Sequence, residues 1–225
     1  MHCDILLRGG VVYDGLGNPG FCADVAITDE RIVAIGELEE WHGAQEVPVE
    51  GLCVAPAFID IHTHADFSLN HHPEQISMLY QGVGTQVGGN CGLCIGQIDN
   101  SERFRQEQRW LKPYGVEITW RSMREYLQIL DDLGLGTNYV PLCGHGTLRK
   151  KVMGFAKRAP TDSELRQMQE EVRACMEAGA FGFTTGLEYV PNAYAEPPEI
   201  VVLARVASEY GGFYATHLRS EGDFL

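Results

Sequence analysis

Residues 58–66, FIDIHTHAD, form an apolar run that ends at two histidines one residue apart. On a β-strand, side chains at positions i and i+2 point to the same side, so His62 and His64 would face the same space at the strand's end. Two imidazoles in such a position are typical of a metal-binding site. The run therefore predicts a buried strand with two candidate metal ligands at its carboxyl end.

The composition limits the possible functions of the 225-residue chain. It has 31 acidic residues against 17 lysines and arginines, a net charge of −14, which argues against nucleic acid and anionic membrane surfaces as partners. No run of about 18 apolar residues is present, so no transmembrane helix is predicted. Seven cysteines in a chain of this size favour free thiols in a reducing cytoplasm.

The sequence pattern changes near residue 56. Residues 1–55 carry short alternating apolar stretches separated by turn residues, which predict a small β-sandwich-like unit. From there to residue 225, strand-like runs alternate with helical patterns, and one of these helices would begin at Thr161 or Asp162 and end at Gly179. This alternation predicts an α/β fold, an incomplete (β/α)₈ barrel with about five of its eight strand–helix units.

An open doubly wound sheet is the alternative architecture for residues 56–225. Its first strand would usually be followed by a glycine-rich phosphate loop, and DIHTHAD is not such a loop. The strand ends therefore favour the barrel, in which active-site residues gather at the carboxyl ends of the strands.

Two further strand ends carry candidate metal ligands. The second strand is followed by GGNCGLC, which offers Cys91, and the fifth ends in YATHLR, which offers His217. Imidazole and thiolate ligands together suit Zn²⁺. We therefore expect Cys91 and His217 to lie near His62 and His64, with Asp66 close enough to serve as an outer partner of the site or as a local charge.

Cys91 and Cys94 also form a C-x-x-C pair, which elsewhere is a redox pair or half of a zinc ribbon. A redox pair normally opens a helix, whereas the surrounding glycines predict a tight irregular loop, and a ribbon would need a second C-x-x-C. We interpret one cysteine as a ligand and the other as a packing residue. A non-catalytic metal-binding or redox protein that uses both thiols is the alternative outside the enzymes.

Five motifs resemble the N-acyl-D-amino-acid deacylases (D-aminoacylases) of the amidohydrolase superfamily, and the resemblance extends over the whole chain, from the N-terminal strands onward. They are APAFIDIHTHAD, QGVGTQVGGNCG, GHGTLR, GLEYVP and YATHLR. The resemblance implies hydrolysis of a small N-acylated D-amino acid to a D-amino acid and a carboxylate, with one or two Zn²⁺ ions as cofactor. It disfavours a cyclic-amide hydrolase of the dihydropyrimidinase or hydantoinase type, because Cys91 is present and FGFTTGLEY contains no lysine.

The resemblance also implies roles for the candidate metal ligands. Cys91 and His217 would hold the tighter zinc ion, whereas His62 and His64 would contribute to a second, weaker position. The family's remaining ligand histidine and its catalytic aspartate are expected beyond Leu225. No catalytic residue is therefore assigned within the chain, which we expect to be an inactive N-terminal portion of the enzyme.

Three residues are candidates for contact with the substrate. Tyr189 matches a substrate-contacting tyrosine of the family, and His145 and Arg149 in GHGTLR follow the third strand, where they could orient the substrate or act as outer partners of the site. The alternative for His145 is a buried imidazole bonded to the backbone. For Glu188 the sequence leaves metal binding and simple packing open, and it says nothing about the oligomeric state.

Overall fold

The structure of the protein is a computed structural model that describes residues 1–98, 109, 112–115 and 117–222. The chain divides into two compact units, Met1–Ala57 and Phe58–Leu225. Within the described residues, no helix combines the length and the apolar content needed to cross a membrane.

The first unit is built on one mixed five-stranded sheet. Its strands are β1 (His2–Val12), β2 (Phe21–Thr28), β3 (Arg31–Gly36), β4 (His42–Pro48) and β5 (Cys53–Val54). The order is β3-β2-β1-β4, with β5 also paired to β1; β1 runs antiparallel to β2 and parallel to β4 and β5.

Alternation of apolar residues gives each face of this sheet a small apolar cluster. Leu6 and Ala26 belong to one cluster, and Val12 and Val25 belong to the other. Neighbouring residues of a strand point to opposite faces, so adjacent positions such as Val25 and Ala26 serve different clusters. The short alternating stretches of residues 1–55 thus form a sheet with a small apolar cluster on each face.

The second unit is built on a curled parallel sheet. Its strands are β6 (Phe58–Asp60), β7 (Val83–Gly88), β8 (Asn138–Gly144), β9 (Gly182–Gly186) and β10 (Phe213–His217). The order is β10-β9-β8-β7-β6, and every neighbouring pair is parallel. Strand order follows chain order without the reversal of a doubly wound sheet, as in a partial barrel.

Helices connect these strands and cover the sheet. They are α1 (Ile76–Leu79), α2 (Met123–Leu133), α3 (His145–Met153), α4 (Asp162–Ala178) and α5 (Pro197–Glu209), together with short 3₁₀ turns at Ala65–Phe67, Ile95–Gln97, Lys112–Tyr114 and Asn192–Tyr194. Helix α4 has Thr161 as its N-cap in a capping box with Glu164, and it ends at Gly179 in the left-handed conformation. Both ends of this helix are therefore encoded locally.

The main core of the second unit lies between the sheet and its helices. Trp120, Tyr126 and Phe183 are among its fully buried members. Two of them also hold neighbouring loops: the Trp120 indole N–H donates to the Ile95 carbonyl (3.0 Å), and the Tyr126 hydroxyl donates to the Asp66 carbonyl (3.0 Å). The core therefore supports the loops that follow β6 and β7.

Both edge strands of the parallel sheet expose apolar side chains. Phe58 and Ile59 of β6 are exposed, as is Ile61 just beyond it (75 % exposed), and β10 exposes Phe213 and Tyr214. Unpaired strand edges with exposed apolar residues favour association with other polypeptide segments.

Candidate metal centre

The two histidines of FIDIHTHAD lie just past the first strand of the parallel sheet and not on it. Strand β6 ends at Asp60, whose carboxylate accepts the His62 N–H (3.2 Å). Between the histidines, Thr63 is buried and donates both its N–H and its hydroxyl to the Val87 carbonyl (3.0 Å each). The predicted strand was therefore too long, because side-chain and single backbone contacts replace the regular ladder there.

Cys91 lies in a tight turn after β7. Its φ is +56°, a left-handed conformation that is uncommon for residues other than glycine. Gly92, the next residue, also has a positive φ, and a Cβ there would overlap the Asn192 side chain. The glycines of GGNCG therefore allow the loop to approach neighbouring elements closely enough to bring Cys91 to the strand ends.

The Cys91 thiol lies between two imidazoles. Its Sγ is 3.3 Å from His62 Nε2 and 3.6 Å from His217 Nδ1. In the described residues, the ligand atoms of His62, His64 and Cys91 lie within 4.8 Å of one another. In a tetrahedral zinc site, Zn–S near 2.3 Å and Zn–N near 2.0–2.1 Å place ligand sulfur and nitrogen about 3.6 Å apart. These residues therefore have the donor types and spacing that suit Zn²⁺.

His217, at the end of β10, has acidic partners on its far side. Its Nε2 lies 3.1 Å from Glu188 Oε2 and 3.0 Å from Glu221 Oε1. In a neutral ring whose Nε2–H donates to one of these carboxylates, Nδ1, which faces Cys91, would be the nitrogen that can bind a metal. The sequence left metal binding or packing open for Glu188, and the structure places its carboxylate against His217.

The local electrostatics depend on burial. Burial raises the pKa of the Cys91 thiol, and the charge of Glu221 raises it further. Burial also lowers the pKa of His64, as does the neighbouring His62, so the neutral imidazole is favoured. Neutral imidazoles are the form that binds metal, and a bound cation would favour the Cys91 thiolate.

Cys94 has a different environment from Cys91. It is fully buried in the main core, and burial raises the pKa of its thiol well above the usual range. Its backbone N–H donates to the Thr147 hydroxyl (3.1 Å). The two cysteines of C-x-x-C therefore occupy unlike surroundings, one at the strand ends and one inside the core.

Asp66 contacts the backbone of the cysteine loop. Its Oδ2 accepts the Ile95 N–H (3.0 Å), and its side chain is buried. Burial raises the pKa of this carboxyl to about 6. Asp66 thus joins the segment that carries His62 and His64 to the loop that carries Cys91.

Among the candidate substrate residues, Tyr189 alone lies beside the candidate metal ligands. Its hydroxyl is 3.3 Å from His217 Nδ1, its ring packs edge-on against that imidazole, and it is 40 % exposed.

A cavity of about 620 Å³ adjoins His62 and His64, and its lining includes Asp60 and Met78. This volume is in the range of small-molecule sites.

His145 and Arg149 are completely buried behind the strand ends. His145 begins α3 directly after β8, with Nε2 2.8 Å from Glu199 Oε1 and Nδ1 3.0 Å from Asn192 Oδ1. Arg149 Nε donates to the same Glu199 oxygen (3.1 Å). The partners of His145 are thus side chains and not the backbone, and contact of either residue with a substrate stays a prediction.

Sequence reasoning did not identify Glu199, Asn192 or Glu221. Glu199 lies in the first turn of α5, where an acidic residue is common in any helix, so its position carries no special signal. Asn192 begins a short 3₁₀ turn and Glu221 lies in an irregular segment, and neither position is part of a periodic pattern. Their importance depends on partners distant in the sequence.

Comparison with known proteins finds similar sequences and similar structures. No protein-family model matches the chain. The chain is 37 % identical over 222 residues to a D-aminoacylase from Alcaligenes xylosoxydans xylosoxydans, covering 99 % of this chain and 46 % of that protein. The chain is a relative of the N-acyl-D-amino-acid deacylases. It matches their N-terminal portion and spans about half of their length, as the motifs predicted.

Solved deacylase structures share this fold. An N-acyl-D-glutamate deacylase from Bordetella bronchiseptica, crystallised with zinc and a phosphonate inhibitor, has a TM-score of 0.88 and 35 % identity, covering 99 % of this chain and 46 % of that one. A D-aminoacylase described for its binuclear metal centre has a TM-score of 0.89 and 34 % identity, covering 98 % and 46 %. The relationship to the deacylases therefore extends to three-dimensional structure and to proteins that bind metal.

Hydantoinases are more distant. A D-hydantoinase structure has a TM-score of 0.57 and 16 % identity, covering 94 % of this chain and 39 % of that one, which shows similarity of fold alone. The cyclic-amide alternative is therefore not favoured.

Proposed function

We propose that this chain forms the metal-binding part of an N-acyl-D-amino-acid deacylase. The complete enzyme would hydrolyse the linear amide of an N-acyl-D-amino acid to a D-amino acid and a carboxylate. The observation that carries the proposal is the placement of Cys91 Sγ within 3.3 Å of His62 Nε2 and 3.6 Å of His217 Nδ1 in a relative of the deacylases. The mixed imidazole and thiolate donors support Zn²⁺ as the cation.

The proposed metal ligands are His62, His64, Cys91 and His217, for one or two zinc ions. Cys91 and His217 would hold the tighter ion, and the Glu188 and Glu221 carboxylates support this by orienting the His217 ring. His62 and His64 are more exposed than His217 and would contribute to the weaker position.

Bound Zn²⁺ supplies polarisation of the acyl carbonyl and a lowered pKa for a water molecule. The Tyr189 hydroxyl can donate to an oxygen of a substrate at the same face, because it is partly exposed beside His217. We propose that His145 and Arg149 orient the site from behind. Asn192, which contacts His145, also accepts the N–H of Gly186 at the end of β9 (3.3 Å). Through Asn192, the position of His145 would therefore influence the position of the strand ends.

We further propose that residues 1–225 alone hydrolyse such substrates slowly. The chain covers 46 % of the D-aminoacylase from Alcaligenes, and the resemblance places one zinc ligand and the general acid–base aspartate outside this half. General acid–base assistance is worth about 10²–10⁴-fold in rate. Slow turnover and weak retention of zinc are therefore expected together.

Metal content and hydrolysis test the proposal. Zinc per chain should fall in His62→Ala, Cys91→Ala and His217→Ala, and N-acetyl-D-amino-acid hydrolysis should be far slower than that of a D-aminoacylase of full length. A redox or purely structural thiol pair predicts dependence on Cys91 and Cys94 with none on the histidines. Turnover equal to that of the long relative would show that the catalytic groups have been misplaced.

A further inference from the structure

Asn90, which directly precedes Cys91, bonds to the segment that carries His62 and His64. It is 4 % exposed, and its Nδ2 is 2.9 Å from the Val87 carbonyl, 3.4 Å from that of Thr63 and 3.5 Å from that of Ile61. The last two carbonyls belong to the residues on either side of His62. A side-chain amide has two N–H donors, so it can hold two such carbonyls at once and share a third.

The regular sheet cannot position His62 by itself. The ladder between β6 and β7 ends at the pair Asp60 and Gln86, two residues before His62. Beyond that point, Thr63 donates to the Val87 carbonyl across the gap between the two segments. Asn90, which follows Val87 in the chain, donates to the same carbonyl. These contacts join the His62 backbone to the residue next to Cys91.

We propose that Asn90 is a positioning residue that holds the His62 imidazole against the Cys91 thiol and so sets the spacing of these two metal ligands. The proposal rests on the proposed function, because the ligands are those of the zinc centre described above. Asn90 does not contact the metal in this arrangement. It acts through the backbone on both sides of His62 and through its covalent neighbour Cys91.

Zinc affinity in the full 225-residue chain tests this role. Competition with a chromophoric chelator should show that the zinc ion held by His62 binds about 10–100-fold more weakly in Asn90→Ala, the usual effect of removing a group that orients a ligand. Asn90→Ser keeps one donor and should lose less. Asn138→Ala is the matched control, because Asn138 is exposed on the neighbouring strand and donates to the Thr85 hydroxyl (3.3 Å). The zinc affinity of the Asn138→Ala chain should equal that of the unsubstituted chain.

A double-mutant cycle distinguishes positioning of His62 from general destabilisation. In a His62→Ala background, Asn90→Ala should lose most of its effect on zinc affinity, because the ligand that it positions is gone. In a His217→Ala background it should keep its full effect. The proposal would be overturned if Asn90→Ala reduced zinc affinity equally in both backgrounds. It would also be overturned if Asn90→Ala alone left zinc affinity unchanged.

Hydrogen exchange of the zinc-free chain provides a readout that does not depend on metal binding. Exchange of residues 61–66 should be faster by about fivefold in Asn90→Ala, the factor for one hydrogen bond of ordinary net strength, and unchanged in Asn138→Ala. Equal exchange in the two variants would overturn the positioning role. If the unsubstituted chain binds no zinc, the proposed metal centre is wrong, and the exchange rates still decide whether Asn90 holds this segment.

Discussion

Removal of the Arg149 guanidinium should destabilise the second unit strongly. Arg149 is completely buried and Glu199 is 5 % exposed, so Arg149→Met leaves a buried carboxylate without its cationic partner. Breaking one side of such a pair costs about 3–5 kcal/mol, a large fraction of the roughly 5–15 kcal/mol that stabilises a typical domain. With a urea slope of about 2 kcal/mol per molar, the unfolding midpoint should fall by about 2 M.

Urea unfolding followed by circular dichroism measures this loss, and two further variants identify its cause. The double variant Arg149→Met/Glu199→Gln removes both charges while keeping an acceptor for His145, so it should recover most of the lost stability. Arg173→Met removes the cation of an exposed helical pair with Glu170 and should leave the midpoint unchanged. A loss below about 1 kcal/mol in Arg149→Met would refute the reasoning that this ion pair is desolvated.

Three other predictions concern the thiols, a helix cap and the exposed strand edge. Cys91→Ala should abolish most zinc binding by elemental analysis, whereas Cys94→Ala should retain it; the reverse result would exchange their assignments. Arg158 lowers the pKa of Glu164 from its ordinary value of 4.5 to about 2. The ionised Glu164 in the cap of α4 therefore stabilises the folded chain above about pH 4.5, and this contribution is lost as the pH falls to about 2. Acid unfolding of Glu164→Gln and the unsubstituted chain should therefore differ at pH 6 and converge at pH 2, and parallel curves would contradict this origin. Ile61→Lys should reduce self-association in light scattering, because Ile61 is 75 % exposed beside β6; unchanged association would exclude this edge as its cause.

Local patterns were sufficient for the alternation of strands and helices and for nominating the candidate ligands. Helix α4 begins at Thr161 and ends at Gly179, and both signals act within a few residues. Alternating strand and helix patterns implied a parallel sheet, since a right-handed crossover is the common way to join such strands. His62, Cys91 and His217 could be nominated because each follows an apolar run, which is a property of the sequence alone.

The distances within the site depend on tertiary structure. Strand β6 ends at Asp60, and His62 is placed beyond it by Thr63 and Asn90, whose partners lie 24 to 29 residues away. No local pattern encodes such contacts, because they exist only once β7 lies beside β6. The spacing of 3.3 Å between Cys91 and His62 is one consequence.

Burial of His145 and Arg149 was likewise decided by packing. Their motif GHGTLR follows a strand and left open whether they contact a substrate or are buried, and the partner that pairs with both, Glu199, lies about 50 residues away. A charged group can be buried only where a partner compensates for lost hydration, and that partner comes from a different helix. The sequence by itself therefore determined which residues stand near the strand ends, and the tertiary structure decided which of them are exposed there, as Tyr189 is, and which are buried, as His145 and Arg149 are.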